Sequence, residues 1–233
     1  MIELVYSPNW FYGKDIEIDI VSIFVLFLIA IFSIKYFRMD KKNKNYLYLA
    51  FSFLLIGLSF LFKITTNFTI YYNVLQTTRV GFITYTYNAV KSSDIIFIIG
   101  FLLYRIFTLL GLYILYLIYS KKDKGNIIII VFLLLVSTYF SRSAYYIFHV
   151  TSLLFLIFIT LQYYRNYHKT KQSANKWLLL SFLLITVSHA FFCFIRMHSL
   201  LYVIAEFIQL AGYAALLITF IKVLKDGKKK GKK

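Results

Sequence analysis

One proline, one cysteine and nine acidic residues stand among 233, and each shortage removes a class of protein. Pro8 lies ahead of the first long apolar run, so no proline kinks a later helix. Cys193 is alone, which excludes a disulfide within the chain and leaves the redox compartment unreadable. The nine glycines never gather into a phosphate-cradling loop. GxSxG, HExxH and CxxCH are missing too, and no aspartate is expected mid-span, where an aspartyl pair would need it. An enzyme is therefore not the expectation. Channels and transporters also lack their usual marks. No filter-like sequence occurs, and Gly57, Gly100, Gly111 and Gly212 are isolated rather than paired at matching places in two repeats.

Apolar side chains are abundant instead. The chain is 61% hydrophobic and 15% charged, against about 45–50% and about 25% in soluble domains. One water-soluble core cannot hide that excess, so lipid is the expected solvent. The 25 Phe and 21 Tyr accompany many Ile, Lys and Asn, the bias of an AT-rich coding sequence, so aromatic richness is no evidence of a ligand site.

The expected fold is all-α, a polytopic transmembrane bundle of about seven helices. A crossing needs about 20 apolar residues, and such runs fall near 20–37, 46–66, 95–119, 126–141, 144–164, 177–195 and 199–221. The fourth is the shortest and meets the fifth across Ser141, Arg142 and Ser143, which predicts a tight helical hairpin. Residues 1–222 form one membrane domain on this reading. Residues 223–233 form a disordered basic cytoplasmic tail suited to anionic lipid headgroups or to fixing topology alone.

Lysine and arginine set the orientation. Lys35, Arg38, Lys41, Lys42, Lys44, Lys121, Lys122, Lys124, Arg165, Lys169, Lys171 and Lys176 cluster with the tail on one side, whereas Lys14, Lys63, Arg79, Lys91, Arg142 and Arg196 fall on the other. The amino terminus is thus expected outside and the carboxyl terminus in the cytoplasm. Glu3, Asp15, Glu17 and Asp19 make the leading segment acidic, which argues against a cleaved signal peptide. The net charge of +17 sits in short loops rather than in a basic domain, so nucleic acid is not an expected partner. The outer segment 63–93 contains Asn67-Phe68-Thr69, a glycosylation acceptor pattern, although a tyrosine-rich interfacial belt explains the same residues.

Two charges are expected inside spans, Arg105 and Glu206, at similar depth. A charge at mid-membrane costs about 2.5–3.5 kcal/mol on insertion scales and faces the protein interior, so the two are expected to pair. That pair either fixes helix packing or belongs to a site. Tyr202, Glu206, Gln209 and Tyr213 share one helical face. Thr186, His189 and Cys193 form a stripe on the sixth run, His149 and Ser152 lie on the fifth, and Thr108 follows Arg105. A ligand site built from Arg105, His149, His189, Tyr202, Glu206, Gln209 and Tyr213 is expected in the outer half. No cofactor or metal is predicted. Haem between His149 and His189 is kept as an alternative, and a retinal Schiff base is excluded because Lys222 lies at a helix end.

The segment Ser7-Pro8-Asn9-Trp10-Phe11-Tyr12-Gly13-Lys14-Asp15, with Tyr36-Phe37-Arg38 and Leu58-Ser59-Phe60-Leu61-Phe62-Lys63, resembles uncharacterised archaeal multispanning membrane proteins that open on an SPxWFxGxD-like segment. The resemblance covers about the first third of the chain and implies a prokaryotic plasma membrane, with no activity attached. Pro8, Trp10 and Phe11 suit a short lid at the outer interface. The leading functional expectation is a sensor or regulatory module that binds a small or lipid-derived ligand and works through a partner protein in the membrane or cytoplasm. The alternatives are a secondary transporter or proton-coupled carrier using Glu206, and a haem-bearing redox protein.

Overall fold

The structure is a computed structural model. It describes the backbone of residues 7–11, 13–75, 77–80, 83–86, 91–118, 124–141 and 144–230, and the side chains in those ranges except at 9, 69–95, 124–127, 129 and 224–230. Seven helices are described: α1 (Lys14–Met39), α2 (Asn45–Leu75), α3 (Lys91–Leu117), α4 (Lys124–Phe140), α5 (Tyr146–Thr170), α6 (Ser173–Cys193) and α7 (Leu200–Lys230). A short 3-10 turn, Asn9–Phe11, precedes α1. Between α2 and α3 an antiparallel hairpin pairs β1 (Thr77–Val80) with β2 (Ile83–Thr86), Thr77 opposite Thr86 and Val80 opposite Ile83.

Six helices are long and apolar enough to cross a membrane: Lys14–Met39, Asn45–Phe68, Ile96–Leu117, Tyr146–Thr170, Ser173–Cys193 and Leu200–Val223. The chain is a multi-pass helical membrane protein in its architecture. Helix α4 has 17 residues, about 26 Å at 1.5 Å per residue, and its described apolar part is Ile130–Phe140. Arg142 and Ser143 of the expected hairpin turn lie outside the described residues, as do residues 231–233 of the expected tail. The backbone of α7 is helical to Lys230.

The first helix begins earlier than its apolar run suggests. Gly13, at φ 86°, adopts the left-handed conformation that only glycine takes without strain, and this ends the helix backwards. Asp15 and Glu17 then fall in the first turn, where the helix dipole favours acids. Asp15 and Asp19 consequently lie inside the first helix rather than in a leader ahead of it.

Helices α1, α2, α3, α5, α6 and α7 close a ring in that order, with α7 returning to α1, while α4 packs outside against α3 and α5. Near contacts at Gly100 and Gly111 draw α2 and α3 together. A methyl group at Gly111 would stand 2.6 Å from Ile56 Cγ1 and 3.0 Å from the Ser52 carbonyl, and one at Gly100 would stand 3.3 Å from the Phe62 carbonyl. Small residues let backbones approach where lipid supplies no hydrophobic drive between helices.

The surface and interior are inverted relative to a soluble protein. Phe24, Ile31, Phe132 and Tyr139 are 57–73% exposed, whereas Ser22, Ser33, Ser52, Ser59, Ser152 and Ser181 are at most 1% exposed. Ser22, Ser33, Ser152 and Ser181 each donate to the carbonyl four residues earlier on their own helix, so none carries an unmet donor into the interior.

Two apolar plugs divide the bundle along its length. Phe11, Ile18, Phe192, Ile195, Tyr202, Val203 and Ala205 cap the rim where α1 and α7 begin. A larger core of Leu26, Ile29, Phe53, Ile56, Leu115, Leu156, Ile159, Phe182, Leu216 and neighbours fills much of the interior, and a smaller cluster of Leu109, Tyr113, Leu134 and Phe148 lies at α3, α4 and α5. Polar and charged side chains form a layer between the two.

Candidate functional site

The polar layer is assembled from helix ends that meet at one level. Asp15 and Asp19 come from the start of α1, Lys63 from the second half of α2, His149 from the start of α5 and His189 from the end of α6. Tyr202, Glu206 and Gln209 come from the start of α7. Glu206 lies six residues, about 9 Å, from the beginning of its helix.

Lys63 is the centre. Its ammonium donates to Asp19 Oδ1 at 2.8 Å and to Glu206 Oε1 at 2.6 Å, and it lies 5.3 Å from the centroid of the Phe60 ring. Asp19 is 0%, Glu206 1% and Lys63 8% exposed. A buried ion pair repays its desolvation only when the geometry is good and the remaining atoms are satisfied. Here two carboxylates share one ammonium, and Asp19 Oδ2 and Glu206 Oε2 are buried without a partner.

Beside this triad, Asp15 Oδ2 accepts from Asn67 Nδ2 at 2.9 Å and from the Tyr202 hydroxyl at 3.3 Å. Its Oδ1 accepts the Ile16 amide at 3.0 Å. The amide of Asn67 is thus committed to α1, which counts against its use as a glycosylation acceptor. Residues 69–93 of the expected outer segment lie outside the described side chains.

Below Glu206, Gln209 Nε2 lies 3.5 Å from His189 Nε2 and 3.4 Å from the Tyr213 hydroxyl. His189 Nδ1 faces His149 Nδ1 at 3.4 Å. The His149 ring stacks on Phe192 with centroids 4.9 Å apart, and its Nε2 is buried without a partner. Thr108 Oγ1 lies 2.9 Å from Ser59 Oγ. Next to these groups a cavity of about 10 Å³, lined in part by Thr108, His189 and Tyr213, is the size of one water.

Arg105 occupies the other side of α3. Its guanidinium lies 3.5 Å from the centroid of Phe101, with Phe148 and Tyr145 at 5.3 and 5.6 Å, and it donates to Ser141 at the end of α4. The expected Arg105–Glu206 pair is therefore replaced: Glu206 takes Lys63, and Arg105 takes aromatic faces and a hydroxyl. Similar depth does not fix a partner, because a helix presents several faces at one level.

Of the seven expected site residues, the structure brings Tyr202, Glu206, Gln209, Tyr213, His189 and His149 into one connected layer, with Arg105 at its α3–α4 margin. Sequence reasoning missed Asp15, Asp19 and Lys63. Asp15, Asp19, Ser22 and Leu26 recur at helical spacing and share the buried face of α1, whereas Glu17 is exposed. That pattern was the available signal.

Haem does not fit between the histidines. Bis-histidine ligation places the two nitrogens across a macrocycle, yet these rings are in contact, with centroids 5.5 Å apart and tilted by 44°. Phe148, Phe192 and Tyr145 fill the sides at centroid distances of 4.7–4.9 Å from His149. Among the described residues no group of three or more His, Cys, Asp or Glu side chains could hold a metal ion.

No protein-family model, no curated protein and no solved structure matches this chain.

Proposed function

We propose that this protein is a proton-coupled carrier in the plasma membrane of a prokaryote, with the Asp19–Lys63–Glu206 network as its exchange site. The observation that carries the reading is the shared ammonium. With all three groups ionised, two carboxylates and one ammonium leave one negative charge, and a low-dielectric interior penalises any uncompensated charge. A proton or a cation taken up there relieves that penalty. Its arrival also changes what Lys63 holds, and Lys63 joins α2 to both α1 and α7. Uptake thereby biases the packing of three helices, which is what coupling requires.

In this reading the chain crosses seven times, α4 included, with the amino terminus outside. Ser137 of α4 lies 2.7 Å from Thr151 of α5, and His149 of α5 faces His189 of α6; these contacts support a path in which α4 carries the chain back across the bundle between α3 and α5. Arg38, Lys44, Lys169, Lys171 and Lys222 gather at the rim opposite Asp15, and this supports a cytoplasmic position for that rim. The prokaryotic setting rests on the resemblance of the Ser7–Asp15 segment.

A second reading, a sensor or regulatory module acting through a partner protein, draws on the amino-terminal turn. Phe11 is 2% exposed and packs edge-on against Tyr202 at 6.4 Å, so a ligand that displaced it would act directly on the start of α7.

Proteoliposomes enclosing a pH dye test the carrier reading. Amines, amino acids, alkali salts and organic anions are added in turn to the outside. One class should evoke a change of internal pH in the wild type that Glu206→Gln abolishes. No response to any class, or a response unaltered by the substitution, discards it.

A further inference from the structure

The acceptors around Lys63 outnumber its donors in a particular way. An ammonium has three N–H bonds, and Lys63 donates two of them to Asp19 Oδ1 and Glu206 Oε1, leaving Asp19 Oδ2 and Glu206 Oε2 buried and unpartnered. A buried acceptor without a donor costs about 1–3 kcal/mol, and more when charged. Two such oxygens flanking a single cation suit a further donor that is itself a monovalent cation, since that partner would meet the open acceptors and cancel the remaining charge together.

Aromatic faces continue the pattern. The Lys63 ammonium sits by Phe60, and at the rim the Lys14 ammonium lies 5.5 Å from the centroid of Trp10, the residue before the buried Phe11. Between rim and network stand Tyr202 and Asp15, joined by a hydrogen bond. The route from rim to network thus offers π faces and acceptor oxygens, the surroundings that attract organic cations. An alkali ion would need several oxygens arranged around it, whereas the chain already holds an R–NH3+ group on these two carboxylates.

We propose that the network binds a small primary-ammonium compound, which enters beneath Trp10 and Phe11 and shares Asp19 and Glu206 with Lys63. The side chain of Lys63 is a tethered version of the ligand, and the incoming ammonium takes the oxygens it leaves open. This rests on the carrier reading only in treating the network as the exchange site, and it adds the substrate class.

The test uses the full chain in nanodiscs of neutral lipid with radiolabelled methylammonium as probe. Saturable binding is expected, displaced by unlabelled methylammonium but not by equal concentrations of sodium or tetramethylammonium, which lacks N–H donors. Glu206→Gln and Asp19→Asn should each weaken it by about thirtyfold or more, while Lys222→Gln, exposed at the opposite rim, leaves it within about threefold. Lys63→Gln/Glu206→Gln removes one charge of each sign and guards against misfolding of the single variants; it too should lose binding. No saturable binding, equal displacement by sodium or tetramethylammonium, or binding retained by the double variant each overturns the site. Binding without any evoked pH change in proteoliposomes would instead keep the site and remove the carrier.

Discussion

Lys63 and Glu206, 143 positions apart in the chain, meet at 2.6 Å inside the bundle. The contact makes α2 and α7 dependent on one another, across a seam where Phe60 also meets Tyr213 and Phe53 meets Phe220. Lys63→Met should cost about 3–5 kcal/mol of stability, because it leaves two buried carboxylates without their cation. Adding Glu206→Gln to Lys63→Met should recover part of that loss. Thermal or denaturant unfolding in detergent of the four proteins of this cycle reads the coupling, and strictly additive losses would show that the two groups do not interact.

The corresponding cycle on Arg105 and Glu206 should behave oppositely. Their effects are expected to add within about 0.5 kcal/mol, as for residues with no shared partner. A large coupling would reinstate the pair that helical depth alone suggested.

Arg105→Lys should destabilise by about 1–2 kcal/mol even though the charge is kept. A guanidinium stacks flat on Phe101 and reaches Ser141 from its fork, whereas an ammonium has neither the plane nor the fork. Phe101→Leu in the Arg105→Lys background should then cost less than in the wild type, measured by the same unfolding assay.

Gly111→Ala should lower stability by about 1–3 kcal/mol, since its methyl meets both Ile56 and the Ser52 carbonyl. Gly13→Ala has open space around its Cβ yet a φ of 86°, so its cost, about 1 kcal/mol, is conformational. Combining Gly111→Ala with Ile56→Val should reduce the first penalty and leave the second untouched.

Purified protein titrated with haem should show no spectrum of a six-coordinate, bis-histidine iron, because the His149 and His189 rings already touch. Such a spectrum that vanished on His149→Phe would prove that the helices separate to admit a macrocycle.

The apolar runs announced the helices because crossing length and hydropathy are local properties of the chain. Helix ends and azimuths were less accessible. Asp15 and Asp19 looked like an acidic leader, since hydropathy averages three acids among isoleucines into a polar stretch, whereas the 15, 19, 22, 26 spacing carries the buried face. Lys63 lies at the outer end of the second apolar run and counts by sequence with the outer charges, yet α2 continues about three turns past it to Leu75, and Asn67, one turn on, reaches Asp15. Glu206, Gln209, Tyr213 and His189 were legible because they are polar groups inside unmistakable apolar runs. What joined them to α1 and α2 was long-range packing, to which helical periodicity is blind. Helix α4 was the weakest run by length, and it is the one helix outside the ring.

Ring closure through the first and last helices has a bearing on how the protein is made. As the ribosome delivers α1 and α2, Asp19 and Lys63 emerge first and enter lipid as a neutral couple, one charge of each sign. Glu206 follows more than a hundred residues later and must find that couple already in place. Until it does, α7 carries a lone carboxylate that lipid rejects, so docking of the final helix is tied to correct assembly of the earliest hairpin, and an ill-formed nascent bundle remains marked by an orphan acid for quality control to detect.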